Sequence, residues 1–272
     1  MSVLGRLVAR RLRVMRIATW NVNSLNKRMP RVEEWLGYAA PDVLCLQETK
    51  LSDANFPSMA FAAQGYEAAH FGQGQWNGVA ILSRVGLDDV VSGFSDRTED
   101  EVSEARLLWA TCKGVRVASV YVPNGRQVGT EHYEAKLQWL ERLRRGLEAV
   151  CDPGEPFVIC GDFNVAPEDR DVWDPAKVNG GTHVSEPERE ALRRLEDWGL
   201  VDVFRRLYDD DRLYSYWDYR AGDFHQHRGM RIDLELATNP LADAATFALI
   251  DRFARKGKSP SDHAPLLVDF DL

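Results

Sequence analysis

Short runs rich in Val, Ile, Leu and aromatic residues, bounded by Gly, Pro, Asn and Asp, recur along the chain. They fall at 16–22, 43–49, 66–71, 78–84, 106–112, 115–122, 157–164, 231–238 and 263–270, and each reads as a β-strand. The runs 106–112 and 115–122, joined through Lys113-Gly114, read as a hairpin, and 66–71 pairs with 78–84 across Gly72-Gln-Gly74. Three segments switch to helical spacing. Residues 29–39 put Val32, Trp35 and Leu36 on one face; residues 131–150 do so with Tyr133, Leu137, Leu140, Leu143 and Leu147. In the second, Glu131 and Glu134 come early and Arg142, Arg144 and Arg145 late, as the helix dipole favours. The third, 186–198, has Ser185 and Glu188 as a capping box and Gly199 as its stop. No low-complexity linker or change of composition splits the chain. Strands mixed with crossover helices imply one α/β domain of two packed sheets flanked by helices.

Several of these runs change character abruptly at one end. They close on Asn21, Glu48, Tyr121, Asp162 with Asn164, and Asp233, while Ser261-Asp262-His263 precedes the run Ala264–Val268. Strands that all turn polar at one end line up a common rim. A rim rich in oxygen ligands with one imidazole suits a hard divalent cation and a phosphate.

Composition is that of an ordinary globular protein, 44% apolar and 28% charged, and no segment is long and apolar enough to span a bilayer. Net charge is −8, against the basic footprint usual for nucleic-acid binding. Residues 1–15 carry Arg6, Arg10, Arg11 and Arg13 without an acid, so removing those four charges from −8 leaves the remainder near −12. A focused basic rim still suffices to bind a polyanion, and Arg84, Arg106, Arg126, Arg228, Arg231, Lys256 and Lys258 fall in or beside the predicted rim loops. The arginines of residues 1–14 interrupt any apolar signal core, so this segment reads as a loose basic extension preceding a domain of 15–272, and secretion is not expected. Cys45, Cys112, Cys151 and Cys160 lack Cys-x-x-Cys spacing and read as reduced thiols, which suits a cytoplasmic protein.

Two apart on an extended chain, Asp162 and Asn164 point to one side and Phe163 to the other. Glu48 follows an apolar run, where an enclosed and unpaired carboxylate would be costly, so it belongs at the rim or beside a cation. Asn21 has the same standing. Asp262 and His263 arrive together on one turn, and an imidazole needs a partner on its other nitrogen; Asp233 is the candidate. His225 and His227 lack a third ligand and do not make a metal site.

Eight motifs in order then resemble the exonuclease III family of abasic-site DNA repair nucleases, within the deoxyribonuclease-I-like endonuclease/exonuclease/phosphatase superfamily. They are Ala18-Thr-Trp-Asn21-Val-Asn23-Ser24, Leu46-Gln-Glu48-Thr-Lys50, Trp76-Asn-Gly78-Val-Ala, Tyr121-Val-Pro-Asn124-Gly125, Gly161-Asp162-Phe-Asn164, Trp217-Asp-Tyr219-Arg, Arg228-Gly-Met-Arg231-Ile-Asp233 and Ser261-Asp262-His263-Ala-Pro265. The resemblance implies a four-layer α/β/β/α sandwich of two mixed sheets. It implies a Mg²⁺-dependent hydrolase, with Mn²⁺ as a substitute, acting as a monomer on double-stranded DNA with abasic or 3′-blocked sites, nucleoid-associated when on DNA. It assigns the metal to Glu48, helped by Asn21 and Asp262. It gives catalytic roles to Tyr121, Asp162, Asn164, Asp233 and His263, and DNA contacts to Asn124, Arg126, Trp217, Met230 and Arg231. Asp162 and the Asp233–His263 pair both stand as candidates for the general base.

Glu235 departs from the family pattern, which has an apolar residue there; it would pair with an Arg or disturb the partner of His263. That residue supports an alternative, a damage-binding paralogue that does not cut. A superfamily phosphodiesterase acting on another phosphate ester is the other alternative.

Overall fold

The computed structural model describes residues 14–96 and 104–272. Twelve strands are present among them: β1 (Val14–Asn21), β2 (Val43–Gln47), β3 (Glu67–Phe71), β4 (Val79–Ser83), β5 (Asp88–Ser92), β6 (Leu107–Cys112), β7 (Val115–Tyr121), β8 (Phe157–Asp162), β9 (Leu200–Asp202), β10 (Asp233–Thr238), β11 (Ala245–Ile250) and β12 (Leu266–Asp271). They form two six-stranded sheets, ordered β11-β12-β1-β2-β4-β3 and β5-β6-β7-β8-β10-β9. Each sheet has one parallel pair, β1 with β2 and β7 with β8. Parallel neighbours need a crossover, and helices α1 (Leu25–Ala39) and α2 (Glu131–Val150) supply it.

Three apolar layers follow from the burial of both strand faces. Between the sheets lie Ile17, Val43, Cys45, Val117, Val158, Cys160 and Val268. Trp20, Leu44 and Leu46 point the other way, toward Val32, Trp35 and Leu36 of α1. On the far side, Val120 and Ile159 pack with Leu140, Leu143 and Leu147 of α2 and with Leu192 and Leu195 of α3 (Glu186–Trp198). β2, β4, β8 and β10 are buried at every position; the first three accordingly read as nearly continuous apolar runs, whereas β10 buries Asp233, Glu235 and Thr238 as well. The architecture is the expected α/β sandwich.

The differences from the sequence reading are local. α1 begins at Leu25 rather than 29, with Pro30 inside it. Val14 pairs with Asp271, so the first strand takes one residue from the expected extension; residues 1–13 and 97–103 lie outside the described residues. The last run starts as a strand only at Leu266, leaving His263 on a loop that makes an isolated bridge with Tyr216. β5, β9 and β11 were not expected.

Strand register then builds the rim. Tyr121 on β7 is paired with Asp162 on β8, and Asp162 with Asp233 on β10, so three functional side chains form one row across adjacent strands. Gly161 permits this. A Cβ there would meet the Val120 carbonyl oxygen at 1.9 Å.

Candidate active site

The row from the second sheet faces Asn21 and Glu48 from the first. Asn21 Nδ2 bridges them, donating to Glu48 Oε1 at 2.8 Å and to Asp162 Oδ2 at 2.9 Å. The 261–263 loop closes the cleft. His263 Nδ1 lies 2.8 Å from Asp233 Oδ2, and its Nε2 lies 3.8 Å from Asp162 Oδ2. Asp262 Oδ1 accepts from Asn23 Nδ2 at 3.1 Å, and Lys50 Nζ donates to Asn23 Oδ1 at 2.6 Å and to Glu48 Oε2 at 2.8 Å. The backbone nitrogen of Asn164 donates to Asp162 Oδ1 at 2.9 Å, and its side chain accepts from Asn124 Nδ2 at 3.1 Å. Glu48, Lys50, Asn23, Arg126 and Asn164 all have positive φ. Such backbone is costly for residues with a Cβ and gathers where side chains must be aimed.

Burial and charge set the protonation states. Burial would discharge His263, but the Asp233 and Asp162 carboxylates outweigh it and push the imidazole up to about 10. Asp162 is pushed up to about 7, first by burial and then by Asp233 and Glu48, against the pull of His263. Burial also opposes ionisation of Glu48, yet Lys50 and Asn21 hold its carboxyl below the usual range. The Tyr121 phenol is raised well above its ordinary value by burial and by the charges of Glu48 and Asp162.

Carboxylates outnumber the cations that pair with them in the cleft: Glu48, Asp162, Asp233 and Asp262 stand beside Lys50 and His263, with Arg106 over the Tyr121 ring. Ligand atoms of Asp162, Asp233 and His263 all lie within 4.8 Å of one another, and Asp233 Oδ1 has no hydrogen-bond partner among the described residues. This oxygen-rich and under-neutralised donor set fits a hard divalent ion.

Several sequence expectations change here. Arg231 is not on the surface: its guanidinium is fully buried, 2.7 Å from Asp171 Oδ1 and 2.8 Å from Asp202 Oδ2, so it does not reach DNA. Trp217 is also fully buried, under Arg252 and Arg255, and does not wall an open pocket. The neighbouring Tyr216 does face the site, its ring centroid 4.8 Å from that of His263, and it bridges to the half-buried Met230. Asn21 donates through its side-chain amide to Glu48 and Asp162, and its side-chain carbonyl accepts from the Asn23 nitrogen at 3.0 Å, so it orients Glu48 while that oxygen keeps a second lone pair. Arg84 pairs with Asp42 at 3.0 Å, at the end of the first sheet opposite Glu48. Asn124 and Arg126 are exposed, with Asn124 hydrogen-bonded to Asn164 and the Arg126 nitrogen donating to Asn124 Oδ1. Glu235 makes neither expected contact; it is buried between the sheets with both oxygens unpartnered among the described residues. Five residues at the site had no expected role: Lys50 and Asn23 lie inside the family motifs, while Tyr216, Lys136 and His183 belong to none of them.

The chain matches the model of the endonuclease/exonuclease/phosphatase family over residues 18–263. It is 32% identical to exodeoxyribonuclease III of Haemophilus influenzae over 268 residues, which cover 94% of this chain and 100% of that one. It superposes on an AP endonuclease from Archaeoglobus fulgidus with a TM-score of 0.91 and 40% identity, covering 95% of this chain and 100% of the other. The 3′ phosphatase NExo from Neisseria, bound to a product DNA hairpin, gives a TM-score of 0.90 and 38% identity over the same shares. The chain therefore belongs to the endonuclease/exonuclease/phosphatase family, in the branch that holds exodeoxyribonuclease III and the AP endonucleases.

Proposed function

We propose that the protein is a Mg²⁺-dependent DNA repair phosphodiesterase that cuts duplex DNA 5′ to abasic sites and removes nucleotides or blocking groups from 3′ ends. Mn²⁺ substitutes for Mg²⁺, and the protein works as a monomer. The observation that carries this reading is the aligned set Asp233, His263 and Asp162 facing Glu48 across one cleft.

Glu48, with Asp262, would hold the ion, since both carboxylates lie at the cleft surface and keep part of their side chains open to solvent. When bound, that ion neutralises charge on the phosphoryl oxygens and the leaving oxygen. Asp162, poised near neutrality and held by the Asn164 nitrogen, takes the proton of the attacking water. His263, kept protonated by Asp233, donates from Nε2 to a phosphoryl oxygen, and the neutral Tyr121 phenol donates beside it. Asn124, Arg126 and Met230 meet the DNA backbone and the base-less sugar. Glu235, the one feature that favoured a non-cutting paralogue, makes no hydrogen bond to this constellation.

The test is a gel assay on duplexes carrying one abasic analogue, a 3′ phosphate or no lesion. Nicking that requires Mg²⁺ and disappears in Glu48→Ala and His263→Ala is expected. Substrates left intact in every condition would overturn the reading.

A further inference from the structure

Beneath the Asn124 and Asn164 turns lies an ion pair with no opening to solvent. Lys136 on α2 and Glu188 on α3 are paired, and both side chains are 0% exposed. Such a pair stabilises a fold little, because desolvation offsets most of its attraction, so its other contacts show what it does. Lys136 Nζ donates to the Asn164 carbonyl at 2.7 Å and, more weakly, to the Asn124 carbonyl at 3.4 Å. Glu188 Oε1 accepts from the His183 nitrogen at 3.0 Å, and Oε2 from the Ser185 nitrogen at 3.1 Å. His183 returns to the site, with Nδ1 2.5 Å from the Asn164 carbonyl. Gly125 lets the upper turn sit this low: its φ is +81°, and a Cβ would meet Lys136 Cδ at 2.9 Å.

Asn164 needs such support. Its φ is 52°, its nitrogen holds Asp162, and its side chain holds Asn124. We infer that Lys136, anchored by Glu188, is a positioning residue: it fixes the Asn164 and Asn124 carbonyls and so aims Asp162 and the adjoining DNA-facing turn. This rests on the nuclease reading above. A strained turn released from below shifts the group it orients, and displacements near 1 Å slow a reaction by about 100-fold. The helix capping box that Ser185 and Glu188 also form explains the carboxylate but not the lysine.

The experiment compares wild-type protein with Lys136→Met and with the double variant Lys136→Met/Glu188→Gln, whose neutral side chain keeps a carbonyl oxygen for the capping box, reading kcat, KM and Tm. The single variant strands a buried carboxylate and loses stability. The double variant buries no charge and regains Tm. If Lys136 positions Asn164, the double variant still shows kcat lowered ~10–100-fold with KM within about threefold of wild type. A double variant with wild-type kcat, or one that loses binding alone, would overturn the inference while leaving the nuclease reading intact. Wild-type protein inactive on every duplex would overturn both.

Discussion

Asp162 and Asp233 stand directly opposite each other on β8 and β10, and one imidazole serves both, with Nδ1 of His263 2.8 Å from Asp233 and Nε2 3.8 Å from Asp162. Two carboxylates this close repel, and the imidazolium is the charge that lets both stay buried. Asp233→Asn removes the partner that orients the ring and raises its pKa. The His263 value then drops from about 10 toward its ordinary 6.5. Because the protonated form is lost as pH rises through that lower value, the basic limb of kcat against pH moves to lower pH. We expect kcat near neutrality to fall about 10²–10⁴-fold, the usual worth of a positioned acid or base. A kcat profile spanning roughly pH 6–10 checks both points. An unmoved basic limb would show that His263 need not be charged.

Glu48 is prepared for a cation by the groups that already surround it. Lys50 lies 2.8 Å from one of its oxygens and Asn21 Nδ2 2.8 Å from the other, and its carboxyl stays ionised despite burial. Glu48→Gln keeps the shape and removes the charge. Titration of Mn²⁺ into DNA-free protein should show binding weakened by ~100-fold or more, and the rise in Tm that metal gives the wild type should vanish. Equal metal affinity in the two proteins would move the principal ligand elsewhere in the cleft.

Arg231 and Arg126 offer a paired test of which basic residues meet DNA. Arg231 is enclosed with Asp171 and Asp202, whereas Arg126 is exposed next to Asn124. Arg231→Met leaves two buried carboxylates without their shared cation. Urea denaturation should show a loss of about 3–5 kcal/mol. The salt dependence of DNA affinity should stay as in wild type. Arg126→Ala should do the reverse, leaving stability unchanged and lowering the slope of log affinity on log salt by about one.

The sequence disclosed what depends on side-chain type along one strand and concealed what depends on neighbours from elsewhere. β2, β4 and β8 were legible because burial on both faces demands nearly unbroken apolar runs. β5 was not, since Asp88–Ser92 is an edge strand exposed at every position, and β9 has only three residues. Motifs named Asp162, Asp233 and His263, but their convergence depends on the register that pairs β8 with β10. Arg231 and Trp217 were misplaced for the same reason. Their motif neighbours face the rim, but Asp171, Asp202, Arg252 and Arg255, distant in the chain, draw them inward. Lys136 gave no signal because a lysine on an amphipathic helix ordinarily faces water.

Glu235 gives the last prediction, one of stability rather than catalysis. It is fully buried beside Cys45, both oxygens lack partners among the described residues, and burial followed by the Cys45 thiol raises its carboxyl well above the ordinary 4.5. The sign of its pH effect follows. Below about 4.5 the folded and unfolded chains are both protonated there, and folding carries no penalty from ionisation. Above it the unfolded chain releases the proton while the folded chain keeps it, so stability falls by about 1.4 kcal/mol per pH unit until the folded pKa is reached. Glu235→Leu fills a similar volume without a titrating group. It should be more stable than wild type, with a margin that widens from about pH 5 to about pH 8. Urea midpoints at the two pH values measure this. A margin that narrows with rising pH would mean that Glu235 is ionised and paired in the folded protein.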